Sequence, residues 1–205
     1  MELPGLPLWS FKRAGWKVIF YQYPWETIYR AKHYVQTLEA VYADAKARLQ
    51  NIPSGKRVIV AGISLGSLPA TRLAASFKRV EGLILNVPYA DPVTNLYDFG
   101  PTRRRVNSDG YVGRFLNTTH TRESLDKELS SFSPLKRAKD LGHVKVVLFV
   151  AHRDKYFLYR HTKKLRDALD QRAKQFICFE SKSLGHWMGA SKYNLQSASW
   201  LKWLG

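Results

Sequence analysis

Ser64 stands between two glycines in Gly62-Ile63-Ser64-Leu65-Gly66, directly after the apolar run Arg57–Ala61 (RVIVA) and ahead of the helix-like Thr71-Arg72-Leu73-Ala74-Ala75. A strand, a sharp turn and a helix in that order hold a serine hydroxyl above the end of a sheet, placed to attack a carbonyl carbon. Such a turn is strained, and residues without side chains two positions either side clear the neighbouring backbone. The helix aims N–H groups and the positive end of its dipole at the place where an oxyanion forms, with Leu65 N–H as the first donor. The bland alternative is a glycine-rich strand–helix turn with a bystander serine. Pro69 falls early in that helix, where it removes one hydrogen bond, and a slight bend is expected.

A serine needs a base, and the base needs an orienting acid. Asp154 follows the run Lys145–Ala151 (KVVLFVA), past a strand's carboxyl end, where α/β sheets keep their chemistry. His186 lies in the loop after Gln175–Phe179 (QFICF), before the last helix. The order is Ser64, then Asp154 ninety residues on, then His186 thirty-two further. Of the other histidines, His33 falls on a long amphipathic helix, and His120, His143 and His161 have no catalytic context. Those four read as surface residues.

Apolar patterning predicts the elements that position these groups. Short apolar runs at Lys17–Tyr21, Arg57–Ala61, Gly82–Val87, Lys145–Ala151 and Gln175–Phe179 alternate with helical patterns. That alternation points to βα units and a mostly parallel sheet of about five to six strands. The runs are nearly continuous in apolar residues, as expected of strands covered on both faces. The result is an α/β three-layer sandwich with helices on both faces. Ile28, Ala31, Val35, Leu38, Tyr42, Ala45 and Leu49 recur at spacings of three and four, which marks a helix of about six turns. A second helix runs from about Tyr159 to Asp170 with Leu165 and Leu169 inward, and a last one passes through Trp200–Leu204. Residues 89–143 break the alternation, with turn residues mixed among Tyr97, Phe99, Tyr111, Phe115 and Phe132. A long aromatic insertion reads as a small helical lid.

Length and charge bound the rest. The 205 residues fit one domain. No apolar run reaches the ~18–20 residues of a membrane span. The first residues show no basic region followed by an apolar stretch, so a cytoplasmic protein is expected. One cysteine, Cys178, leaves no internal disulfide and no cysteine-based zinc site. Thirty-three Lys and Arg against sixteen Asp and Glu give +17, which raises nucleic acid or anionic lipid as partners. The excess is spread, at +7 over residues 1–90, +2 over 91–143 and +8 over 144–205. The only dense run is Arg103-Arg104-Arg105, so no specific nucleic acid is expected.

In its elbow, its acid turn (Ala151-His152-Arg153-Asp154) and its late Gly185-His186-Trp187, the chain resembles the α/β-hydrolase superfamily. The resemblance covers nearly the whole chain from about Leu3, and the order serine, acid, histidine fits it. What it implies is a serine hydrolase of the carboxylesterase kind with Ser64, Asp154 and His186 as its triad. Asp91 holds a position that some members use for the acid, and His152, where the family often has glycine, competes as base. The loop Leu3–Pro7 looks like the one that supplies the second oxyanion donor, with Leu6 N–H as the candidate beside Leu65. The expected chemistry is cleavage of a small-molecule ester or thioester through an acyl-enzyme. No metal or organic cofactor is required. Tyr97, Phe99, Tyr111, Phe115 and Trp187 are expected to wall the pocket. Within the enzyme class a peptidase is the alternative; outside it, a non-catalytic basic binding protein. In the superfamily, Lys17–Tyr21 corresponds to the fourth strand, and the third lies between it and the strand leading to the serine. Only Met1-Glu2-Leu3 remain to supply that third strand. Either they form a stub, or the natural chain extends upstream, which is the expectation.

Overall fold

The computed structural model describes residues 8–21, 34–97, 121–195 and 197–204. Four strands form one sheet: β1 (Val58–Ile63), β2 (Val80–Asn86), β3 (Lys145–Ala151) and β4 (Gln175–Ser181). They lie in the order β1-β2-β3-β4, and every pairing is parallel. The described helices are α1 (Leu8–Arg13), α2 (Tyr34–Gln50), α3 (Ser67–Ser76), α4 (Pro92–Tyr97), α5 (Arg122–Leu129), α6 (Pro134–Arg137), α7 (Tyr159–Arg172), α8 (His186–Leu195) and α9 (Ser197–Leu204).

Alternation along the strands builds the layers, because successive side chains point to opposite faces. Leu83 and Leu85 of β2, with Val146, Leu148 and Val150 of β3, pack against Leu49, Ala70, Ala74, Leu165 and Leu169 from α2, α3 and α7. Ile84, Val147 and Phe149 point the other way, onto Phe11, Trp200 and Leu204 from α1 and α9. Helices therefore cover both faces, and the three-layer expectation holds. Leu165 and Leu169 face inward with no exposed surface. Burying a leucine of this kind stabilises by roughly 2 kcal/mol.

The expected five to six strands reduce to four among the described residues. Among the described residues Lys17–Tyr21 joins no strand ladder, and Ile19 and Phe20 are 47% and 44% exposed. A strand exists only through its neighbour. Here β1, the nearest sheet edge, makes no backbone hydrogen bond on its outer side among the described residues. A groove of about 310 Å3 is bounded by the run Trp16–Tyr21, by β1 and by parts of α2 and α3. The residues expected to bridge it, Met1–Leu3, lie outside the described residues.

The expected lid spans the connection from β2 to β3. Its described parts are helical: α4, α5, α6 and two 3-10 turns. Leu125, Leu129 and Phe132 are fully buried, in one cluster with Tyr34, Leu38, Leu68, Tyr89 and Phe157. The described end of the insertion is thus part of the core. The proposed long helix starts at Tyr34 within the described residues; Ile28, Ala31 and His33 lie outside them.

Candidate active site

Three βα connections converge at the carboxyl ends of the strands. At the end of β1 the chain turns through a 3-10 turn, Ser64–Gly66, into α3. Ser64 has φ 51°, a left-handed conformation that a residue with a side chain rarely adopts. Gly62 makes the turn sterically possible. A Cβ there would lie 2.5 Å from the Gly66 carbonyl oxygen and 2.6 Å from Ser67 Cα. Leu65 lies in that turn, directly ahead of α3, and the first amides of a helix have no intrahelical acceptor. Because α3 begins at Ser67, Pro69 is in its first turn, where an N–H would be unused. The bend expected at Pro69 therefore has no cause.

Asp154 follows β3 in a tight turn. Its Oδ1 accepts from Tyr156 N–H at 2.8 Å and Phe157 N–H at 2.9 Å. Its Oδ2 lies 2.7 Å from His186 Nδ1, and both side chains are only 4% exposed. His186 opens α8, and its Nε2 lies 3.1 Å from Ser64 Oγ. Asp154 bonded at Nδ1 places the proton there, so Nε2 is free to accept from the serine. Phe157 stands edge-on to the imidazole at 5.0 Å, with Tyr156 at 5.1 Å and Trp187 at 5.2 Å. Gly185 lets this loop close on the acid turn: a Cβ would lie 3.2 Å from the Arg153 carbonyl oxygen, and Arg153 N–H bonds Leu184 C=O at 3.1 Å. Serine, imidazole and buried carboxylate thus form one hydrogen-bonded chain able to move a proton off the serine.

The structure separates the competing candidates. Asp91 is buried just before α4, and its Oδ2 accepts from Thr94 Oγ1 at 2.7 Å, whereas the carboxylate that meets His186 is that of Asp154. His152 is occupied elsewhere: it stacks on Tyr159 at 3.8 Å and bonds Glu180 at 2.6 Å. Burial pushes the Glu180 carboxyl up, but hydrogen bonds from Arg166 and His152 outweigh it and hold it below the usual range. Two surface expectations fail. His161 is 3% exposed on the inner face of α7, with Nδ1 3.1 Å from Asn95 Oδ1. His143 is half-buried, with Nε2 3.3 Å from the Phe77 carbonyl. His33 and His120 lie outside the described residues.

Of the expected pocket wall, Trp187 lines the groove beside Ser64 and is 50% exposed. Tyr97 ends α4, but its side chain lies outside the described residues, as do Phe99, Tyr111, Phe115 and the proposed donor Leu6. The groove instead brings Ile63, Leu65, Pro69 and Ala190 to the serine. Sequence reading missed Tyr156 and Phe157, whose amides hold the acid. The signal was there: an aspartate followed two and three residues on by free amides is a common turn.

No known family model and no curated protein sequence matches the chain. Solved structures do. An esterase of Pyrococcus furiosus superposes with a TM-score of 0.54 at 13% identity, covering 82% of this chain and 61% of its own. Acetyl xylan esterase 1 of Thermoanaerobacterium gives 0.55 at 18%, covering 71% and 45%. Acyl-protein thioesterase 2 of Zea mays gives 0.51 at 18%, covering 83% and 66%. The likeness is one of fold, and the chain spans less than two thirds of each of these relatives' length.

Proposed function

We propose that this chain, which has the α/β-hydrolase fold, is a serine hydrolase that cleaves a carboxylic ester or thioester through an acyl-enzyme. The observation that carries this reading is the hydrogen-bonded line from Ser64 Oγ through His186 to Asp154, at 3.1 and 2.7 Å, ending on a carboxylate held by two backbone amides.

In the reaction, His186 Nε2 takes the Ser64 proton as Oγ bonds to the substrate carbonyl carbon. The carbonyl oxygen becomes an oxyanion, stabilised by Leu65 N–H and, as the proposed second donor, Leu6 N–H. His186 then passes its proton to the departing alcohol or thiol as the carbon–oxygen or carbon–sulfur bond breaks. Water enters, gives a proton to His186, and its oxygen attacks the acyl carbon. Collapse releases the carboxylic acid and returns the proton to Ser64. Asp154 stays ionised throughout, holding Nδ1–H and stabilising the imidazolium. The apolar groove beside Ser64, with Ile63, Pro69 and Trp187, suits an apolar acyl group.

The test is a fluorophosphonate probe with a series of p-nitrophenyl esters of increasing chain length. Labelling that disappears in Ser64→Ala, with measurable ester turnover, supports the reading. Salt-sensitive DNA binding without labelling overturns it in favour of a basic binding protein.

A further inference from the structure

A polar chain, buried at Asn95 and His161, runs behind the acid turn and ends on it. Asn95, on α4, is 3% exposed. Its Nδ2 donates to the Tyr156 carbonyl at 3.3 Å, and its Oδ1 lies 3.1 Å from His161 Nδ1. On the far side of the imidazole, Arg160 Nε donates to His161 Nε2 at 3.2 Å. Hydrogen-bond chemistry fixes the direction of the whole chain. A guanidinium can only donate, so Nε2 accepts and the His161 proton sits on Nδ1. Nδ1–H then donates to the Asn95 oxygen, which turns the Asn95 NH2 toward the Tyr156 carbonyl. The amide orientation is thus set from outside the site.

The Tyr156 residue is gripped at both of its backbone groups. Its N–H holds Asp154 Oδ1, and its C=O is held by Asn95. Asp154 Oδ2 in turn carries His186. Loss of the Asn95 donor takes a partner from this part-buried carbonyl, which favours rotation of the turn toward another one. Rotation moves the Tyr156 amide, and the carboxylate follows. We propose that Asn95 is a positioning residue of this site: through the Tyr156 peptide it sets the orientation in which Asp154 meets His186, and His161 sets the orientation of Asn95. Since α4 belongs to the insertion between β2 and β3, that insertion reaches the triad through one amide side chain. The kinetic arm of this inference rests on the hydrolase reading, and the spectroscopic arm does not.

The experiment compares Asn95→Leu, Asn95→Asp, His161→Phe and His161→Asn with the wild-type chain. Asn95→Asp keeps the shape but puts a carboxylate oxygen where the donor was; His161→Asn returns an N–H close to the lost Nδ1 position. Ester turnover gives kcat and KM, and proton NMR follows the far-downfield resonance of the His186 Nδ1–H held by Asp154. Both Asn95 variants are expected to lose kcat by roughly 10–100-fold, the scale of a small misplacement of a catalytic group, with KM nearly constant. Their downfield resonance should broaden or shift. His161→Phe should show a smaller loss in the same direction, and His161→Asn should recover most of it. If Asn95→Leu fails to fold, the near-isosteric Asn95→Asp decides. A folded Asn95→Asp with wild-type kcat and an unmoved resonance overturns the proposal, as does lost kcat with an unmoved resonance. Should the wild-type chain hydrolyse no ester, the hydrolase reading fails, while the resonance still tests the link from Asn95 to Asp154.

Discussion

The two halves of the site are held in place by opposite means. The acid and base lie in a dense network: Asp154 and His186 are almost fully buried, and three hydrogen bonds converge on one carboxylate. Among the described residues the serine side chain has a single hydrogen-bond partner, His186 Nε2. Ser64 is kept by backbone strain at φ 51° and by the close approach of Gly62 to Gly66, on a strand with a neighbour on one side only among the described residues. Where bonds converge, position is set by partners; where they do not, it is set by sterics. The first half should fail by loss of alignment, the second by loss of fold.

Removal of either half's key atom should erase the difference. Ser64→Ala and His186→Ala are each expected to lower kcat on the order of 10^6-fold, and the double variant should be hardly worse, because such groups act as a unit. Additive losses in a p-nitrophenyl ester assay would break the assignment. Next comes the acid. Asp154→Asn should keep its melting temperature and lose about 10^4-fold in kcat through the wrong imidazole tautomer, while Asp91→Asn stays near wild type. The reverse ranking would move the acid to Asp91.

A pair of glycines tests the steric half directly. Gly62→Ala should lose about 3 kcal/mol or more, since its Cβ meets backbone atoms at 2.5–2.7 Å that cannot swing aside. Gly185→Ala, at 3.2 Å from one carbonyl, should lose only about 1 kcal/mol. Equal losses in urea unfolding would remove the distinction between the halves. The smallest effect concerns Cys178 on β4, whose thiol is pushed up to about 12, first by burial and then by the Glu180 charge. The folded chain therefore holds the thiol proton where an unfolded thiol, near pH 8.5, releases it. Alkylation by iodoacetamide at pH 8 should be slow in the native protein and fast in urea. The stability linked to this group is complete below about pH 8.5 and is lost as pH rises above it toward the folded value.

What was legible in the sequence divides along similar lines. Strands covered on both faces announce themselves as apolar runs, and four of the five runs pair as expected. Lys17–Tyr21 carries the same pattern without a ladder among the described residues, because pairing depends on what lies alongside and not on the run itself. The elbow, the acid turn and the late histidine were readable because each needs particular residue types at a strand's end. Asn95 and His161 were not. Their roles come from hydrogen bonds across 61 and 66 positions, between residues that look like ordinary helix surface in a window of sequence.

The outer side of β1 has a consequence for how fast its backbone forgets deuterium. Along a strand, successive residues turn their N–H groups to alternate sides. In β1 one set is locked into the ladder with β2, and the other set faces the groove beside Trp16–Tyr21. Exchange of the first set must wait for the sheet to open, whereas the second set has no ladder partner among the described residues. The strand that carries the serine should therefore exchange in two populations, slow and fast at every other residue, while β2 and β3, paired on both sides, exchange as a single slow block.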